Sequence, residues 1–557
     1  MPEPSAESPM TLRFASFLLL AAAGSLGAQA PVSFSRADTL RGSNGPGRSW
    51  WDATFYDLHV RVMPADSTIR GHNAIRYRVL RPASEMQLDL QAPLVMDSVV
   101  QDGVRLRVRA EGHAHFVTLR APQRAGAEKS VTAYYHGKPV AARNPPWDGG
   151  LIWKRDSLGQ PFIATANQGI GASIWWPNKD FGADEPDSQR VAITVPDPMV
   201  NVSNGRLRST RSNGDGTTTW EWFVTNPINN YGISINAATY AHWSEAYAGE
   251  RGLLTLDFYP LAIHEDTARV HWQQVRPMMA CFERWFGPYP WYEDGFKLVE
   301  TPHLGMEHQS AVAYGNGFKN GYRGRDQSGT GHGMQWDFIT IHESAHEWFA
   351  NNITAKDNAD MWVHESFANY AEGLYTECQQ GKEAGAAYVI GTRRGIRNDK
   401  PIIPARGVQA QGSGDMYPKG GNMLHTIRQI VGNDEQWRGI LRGLGKTFWH
   451  QTVTGQQVRD YISKEAGADL EPIFRQYLET TMIPTLVLEQ RGNQVAYKWT
   501  NVVPGFALTL PIGVTQGTVD RLAEVRPTTE WQLLDGSAAS LTVDPDYYVN
   551  VERPKTP

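Results

Sequence analysis

His342, Glu343 and His346 stand in the order His-Glu-x-x-His within "DFITIHESAHEWFANN". On a helix, residues four apart share a face, so both histidines can turn a ring nitrogen to one ion. Glu343 is rotated by about 100° and lies beside them, where a carboxylate can act as a base. Two packed histidines on a helix would also give these letters, so the reading rests on what accompanies them. A catalytic zinc takes three protein ligands and keeps one position open. Glu365 follows His346 by nineteen residues, at the start of the next helical stretch, and is the candidate third ligand. The alternative in which a third histidine follows closely needs one at position 352, where the chain has Asn352. Glu372 lies two turns beyond Glu365 on the same face, placed to hold a ligand histidine by its other ring nitrogen. The tripeptide His-Glu-Ser occurs twice, at His342 and at His364. Adjacent helical residues diverge by about 100°, so His364 and Glu365 are not expected to face the metal together.

Two further segments give the pattern a family likeness: "GMEH" (Gly305 to His308) upstream and "YPKG" (Tyr417 to Gly420) downstream. With His342, Glu343, His346 and Glu365 at these spacings, the sequence resembles the M1 family of zinc aminopeptidases, within the gluzincins. The upstream "QGIGASIWWPNKDFGADEP" resembles the family's Gln-containing segment, with Gln168 matching. The resemblance implies one zinc ion per chain held by His342, His346 and Glu365, and Glu343 as general base. It further implies Tyr417 as the donor to the oxyanion, and Glu307 with Gln168, Gly305 and Met306 as the substrate-binding set. The implied activity is removal of N-terminal residues from peptides with a free N-terminus. The alternatives are a zinc endopeptidase of broader specificity and a non-catalytic peptide-binding protein of the same fold; the family's epoxide-hydrolase branch is a remote third. His308 and His364 stand where the family usually has Asn, and Ser173 where it has Arg. The chain resembles a short form that lacks the large helical C-terminal domain of many relatives, which implies a more open cleft.

The positioning elements follow from periodicity. Tyr56, Leu58, Val60 and Val62 alternate with polar residues, and after the "PADS" turn so do Ile75, Tyr77 and Val79. An all-β domain is therefore predicted over 48–245. From about 260 the period changes, and "TARVHWQQVRPMMACFERWFG", the His342 segment, "ADMWVHESFANYAEGLYTECQQG" and "GNMLHTIRQIVG" read as helices. Residues 246–481 are predicted to form a mostly helical domain, which the resemblance implies is a thermolysin-like zinc domain. Phe506, Leu508, Leu510, Ile512 and Val514 alternate again, with a hairpin near Arg491 to Gln494, giving a small β-sandwich over 484–554. The fold class is thus multidomain α+β.

At the N-terminus, Arg13, the apolar run Phe14 to Ala23 and the small residues ending Ala28-Gln29-Ala30 read as a signal peptide over 1–30, with Met10 as the expected start. The run is shorter than the roughly 20 residues of a membrane span, so no stable membrane insertion is expected after cleavage. Export to the periplasm or the medium follows. Cys281 and Cys378 are free to pair there, although two isolated cysteines in a long chain read first as buried structural residues. With 41% hydrophobic and 20% charged residues and a net charge of -5, the 557-residue chain is expected to be globular. It has no basic run, which argues against a nucleic-acid partner. Nothing in it points to an oligomeric state.

Overall fold

The computed structural model describes residues 33–516 and 519–553. The expected signal peptide over 1–30 lies outside the described residues. An N-terminal β-rich region, a helical region and C-terminal strands follow one another along the chain. The alternation read from the sequence is visible as burial, since Tyr56, Leu58, Val60 and Val62 on Trp51–Met63 face the core. That strand pairs antiparallel with Thr68–Val79 and parallel with Ser188–Pro196, at the centre of an eight-stranded sheet. A four-stranded sheet ending in Pro161–Ala166 and Gly150–Arg155 leads the chain to Gln168.

A five-stranded mixed sheet runs Trp243–Gly249, Gly252–Tyr259, Phe296–Glu300, Val312–Tyr314 and Gly305–Met306, so the "GMEH" segment forms its edge. The helix expected through "TARVHWQQVRPMMACFERWFG" is broken into Glu265–His271, a 3-10 turn Trp272–Gln274, and Val275–Phe286. Pro277 sits in the first turn of the last piece, where its missing N–H costs least. The His342 helix, Phe338–Ala345, is shorter than the sequence pattern suggests. His346 caps it and keeps right-handed helical angles, so it still shares a face with His342.

Each element of the site is anchored at its start. Asp337 caps the His342 helix by accepting from the Thr340 N–H at 3.0 Å, and the same carboxylate takes the Tyr314 hydroxyl at 2.8 Å. Its other neighbour is His271 Nε2 at 2.7 Å. The Glu365 helix, Trp362–Gln380, follows a 3-10 turn capped by Asp357, and Glu365 lies in its first turn. Phe349 and Phe367 stack face to face at 4.3 Å, packing the end of the first helix segment on the second. Cys281 and Cys378 pair as a disulfide that ties Val275–Phe286 to the Glu365 helix, so they are structural as a bonded pair rather than as two separate thiols. At the C-terminal end, Thr485–Arg491 and Gln494–Thr500 form the expected hairpin. Phe506 and Leu508 are buried but precede the strand Leu510–Gln516 in an irregular segment. Among the described residues no helix is long and apolar enough to cross a membrane.

Candidate functional site

His342 is held from behind. Its Nδ1 lies 2.8 Å from Glu372 Oε1, while the other oxygen of Glu372 accepts the Tyr388 hydroxyl at 2.7 Å. Asn369 donates to both oxygens at 3.2 Å, so Glu372 is fixed in place. His346 Nδ1 meets the Phe349 carbonyl at 2.9 Å. A carbonyl only accepts, so His346 carries its proton there and turns the lone pair of Nε2 inward. Glu365 Oε2 lies 3.3 Å from His346 Nε2 and 3.7 Å from His342 Nε2, and it has no hydrogen-bond partner.

The three ligand atoms lie within 4.8 Å of one another and all three residues are buried. Buried lone pairs aimed at one another repel unless a cation lies among them. Two imidazole nitrogens and one carboxylate oxygen are the donor types that zinc takes, so the residues fit such an ion. Burial works against charge on His346, but the Glu365 carboxylate outweighs it and lifts the imidazole to about 9, so without an ion a proton on Nε2 takes the cation's place between them.

Around this centre the other candidates converge. Burial pushes the Glu343 carboxyl up to about 7, against the pull of His342. Gly305 is required beside it, since a Cβ there would stand 2.6 Å from Glu343 Oε1 and 2.8 Å from the Ile339 side chain. Glu307 is buried and accepts the Tyr231 hydroxyl at 3.0 Å. Its carboxyl is raised by burial, with His346 opposing. Gln168 donates from Nε2 to Glu365 Oε1 at 3.0 Å. The Tyr417 ring stacks on His342 at 5.8 Å, and Tyr417, Met306 and Glu307 line one cleft with the metal-site residues. That cleft measures about 1140 Å³. Burial, then the carboxylates of Glu365, Glu307 and Glu343, hold the Tyr417 hydroxyl protonated well past the usual range.

Residues 273–477 match the model of the peptidase family M1 domain. The part of the chain that holds the site is thus similar to a peptidase family M1 domain. Probable aminopeptidase 1 of Sulfurisphaera tokodaii is 22% identical over 237 residues, which cover 40% of this chain and 30% of that protein. Aminopeptidase N of Lactobacillus helveticus is 27% identical over 216 residues, 35% of this chain and 25% of that protein. The matched part thus spans well under half the length of these relatives. In fold, an M1 zinc metallopeptidase from Deinococcus radiodurans superposes with a TM-score of 0.65 at 22% identity, covering 79% of this chain and 96% of that chain.

Neither of the two histidines that stand where the resemblance expects Asn lines the cleft. His364 Nε2 accepts the Ala355 N–H at 2.8 Å, joining the Glu365 helix to the strand Ile353–Ala355. His308 is fully buried, with neither ring nitrogen hydrogen-bonded. Several residues of the site escape sequence reasoning. Tyr231 and Tyr388 come from remote segments, with no spacing rule that links them to Glu307 or Glu372. Phe338, which stacks on His342 at 5.2 Å, was within reach, being four residues before it on one helix.

Proposed function

We propose that this protein is a zinc-dependent aminopeptidase that removes N-terminal residues from peptides. The observation that carries the reading is the convergence of an anchored two-histidine, one-carboxylate set with two further buried carboxylates, Glu343 and Glu307, in one cleft. One ion per chain would be held by His342, His346 and Glu365; such an ion is a Lewis acid that polarises a carbonyl and acidifies water. Glu343 takes the proton of the attacking water and passes it to the leaving amine. Tyr417 donates its hydroxyl proton in a hydrogen bond to the oxygen on which negative charge develops. Glu307, oriented by Tyr231, receives the substrate ammonium, and Gln168, bonded to Glu365 in the same cleft, is a further polar contact. An endopeptidase has no need of that buried carboxylate, and a binding protein has no need of Glu343.

Export to the periplasm or the medium is part of this proposal. It is supported by the apolar N-terminal run and by the disulfide, which persists in oxidising compartments. The reading is tested by metal analysis of dialysed protein together with turnover of amino-acid anilides. One zinc per chain in the wild type, with loss of both metal and turnover in His346→Ala, is the expected result. Full turnover in metal-free protein would refute it.

A further inference from the structure

We propose that the cleft selects peptides bearing a large apolar or aromatic side chain on the leaving side of the cut, and that Trp147 decides this preference. The inference rests on the aminopeptidase reading and names its substrate class. An unbroken row of side chains runs outward from His342. Phe338 stacks on His342 at 5.2 Å and 13°, and Tyr322 meets Phe338 edge-on at 5.2 Å. The Arg323 guanidinium lies 5.9 Å from the Tyr322 ring centre and 5.3 Å from that of Trp147. Phe338, Tyr322 and Trp147 all line the same cleft.

The two ligand histidines distinguish the ends of that cleft. The Glu307 carbonyl accepts the Asn351 side-chain N–H at 2.9 Å, the Asn351 backbone N–H bonds the His346 carbonyl at 3.0 Å, and the Ser310 N–H bonds Glu347 at 2.8 Å, so the ammonium belongs at the His346 side. The aromatic row starts instead from His342 and therefore accompanies the residue that follows the cut.

Trp147 is the element of the row with surface to spare. It remains 56% exposed, with the Arg323 guanidinium over its ring at 5.3 Å. An aromatic ring from the substrate would cover this face and complete an offset or edge-on aromatic contact. The Trp147 loop belongs to the β-rich region and Tyr322 and Arg323 to the part similar to an M1 domain, so the preference depends on both sides of the cleft.

The test compares Leu-Phe-Ala with Leu-Ala-Ala in two assays on the full chain: kcat/KM for wild type and Trp147→Ala, and binding by calorimetry in Glu343→Gln with and without Trp147→Ala. A wild-type preference for Leu-Phe-Ala of about tenfold or more is expected in both assays, carried by KM in the kinetic one. Trp147→Ala should bring the ratio toward one, and Trp147→Phe should restore part of it. Equal wild-type rates and affinities for the two peptides, or a ratio that survives Trp147→Ala, would overturn the proposal while leaving the aminopeptidase reading intact. Selective binding without any peptide cleavage by the wild type would overturn that reading and leave the aromatic row standing.

Discussion

Glu372 acts entirely through His342: it touches the imidazole on the side away from the ion site and is itself pinned by Tyr388 and Asn369. Removing such a partner typically costs about 10–100-fold in metal affinity. Glu372→Ala is therefore expected to show weakened zinc binding in a chelator competition, with turnover recovering when zinc is raised; unchanged affinity would mean that His342 needs no such support. Under the proposed mechanism Tyr417 differs, since its hydrogen bond would matter only while charge develops. Tyr417→Phe should lose about 10²–10³ in kcat with little change in KM. An equal loss in KM would assign Tyr417 to substrate binding instead. Among these residues, the His342, Glu343, His346 and Glu365 group was legible because helix period and motif spacing are local properties. Tyr231 and Tyr388 were not, because their contacts are made by folding segments 76 and 16 residues apart onto their partners.

At the scale of elements, the two helices that supply the ligands depend on how they are tied. The Cys281–Cys378 bond closes a loop of 97 residues that contains the whole His342 helix and Glu365. A loop of about 100 residues corresponds to about 4.7 kcal/mol of unfolded-state entropy at most. Cys281→Ser with Cys378→Ser should lower the thermal midpoint markedly, and an unaltered midpoint would show that packing alone holds these helices together. Between the helices, Ala350 adopts φ 146°, a conformation that side chains disfavour, one residue past the carbonyl that orients His346. Ala350→Gly is expected to stabilise the protein by about 1 kcal/mol in chemical denaturation. Strand alternation around Tyr56 and Ile75 was readable because one face is buried, whereas the early end of the His342 helix was not. Ala345 and His346 continue an acceptable helical sequence, and the turn beyond them brings Phe349 onto Phe367, a partner remote from the local pattern.

For the whole molecule, the ion site joins distant parts of the chain. Gln168 from the β-rich region bonds Glu365, and the cleft is lined from Arg41 through Pro418. An ion that binds the folded chain stabilises it by mass action. Chelation should therefore lower the melting temperature by a few degrees, with recovery on adding zinc, and a chelator-insensitive melt would argue against a resident ion. The order of β-rich, helical and β segments was plain from the change in apolar period along the chain. Which segments meet at the cleft was not, because the Trp147, Tyr322 and Gln168 loops carry no periodicity.

The central claim is that this cleft cuts at a free N-terminus, and it is tested most directly by following zinc-replete protein on a defined decapeptide by mass spectrometry, with and without N-terminal acetylation. The account predicts a ladder of products shortened one residue at a time from the N-terminus of the free peptide, and none from the acetylated one. Internal cuts, or equal cleavage of the two peptides, would contradict it.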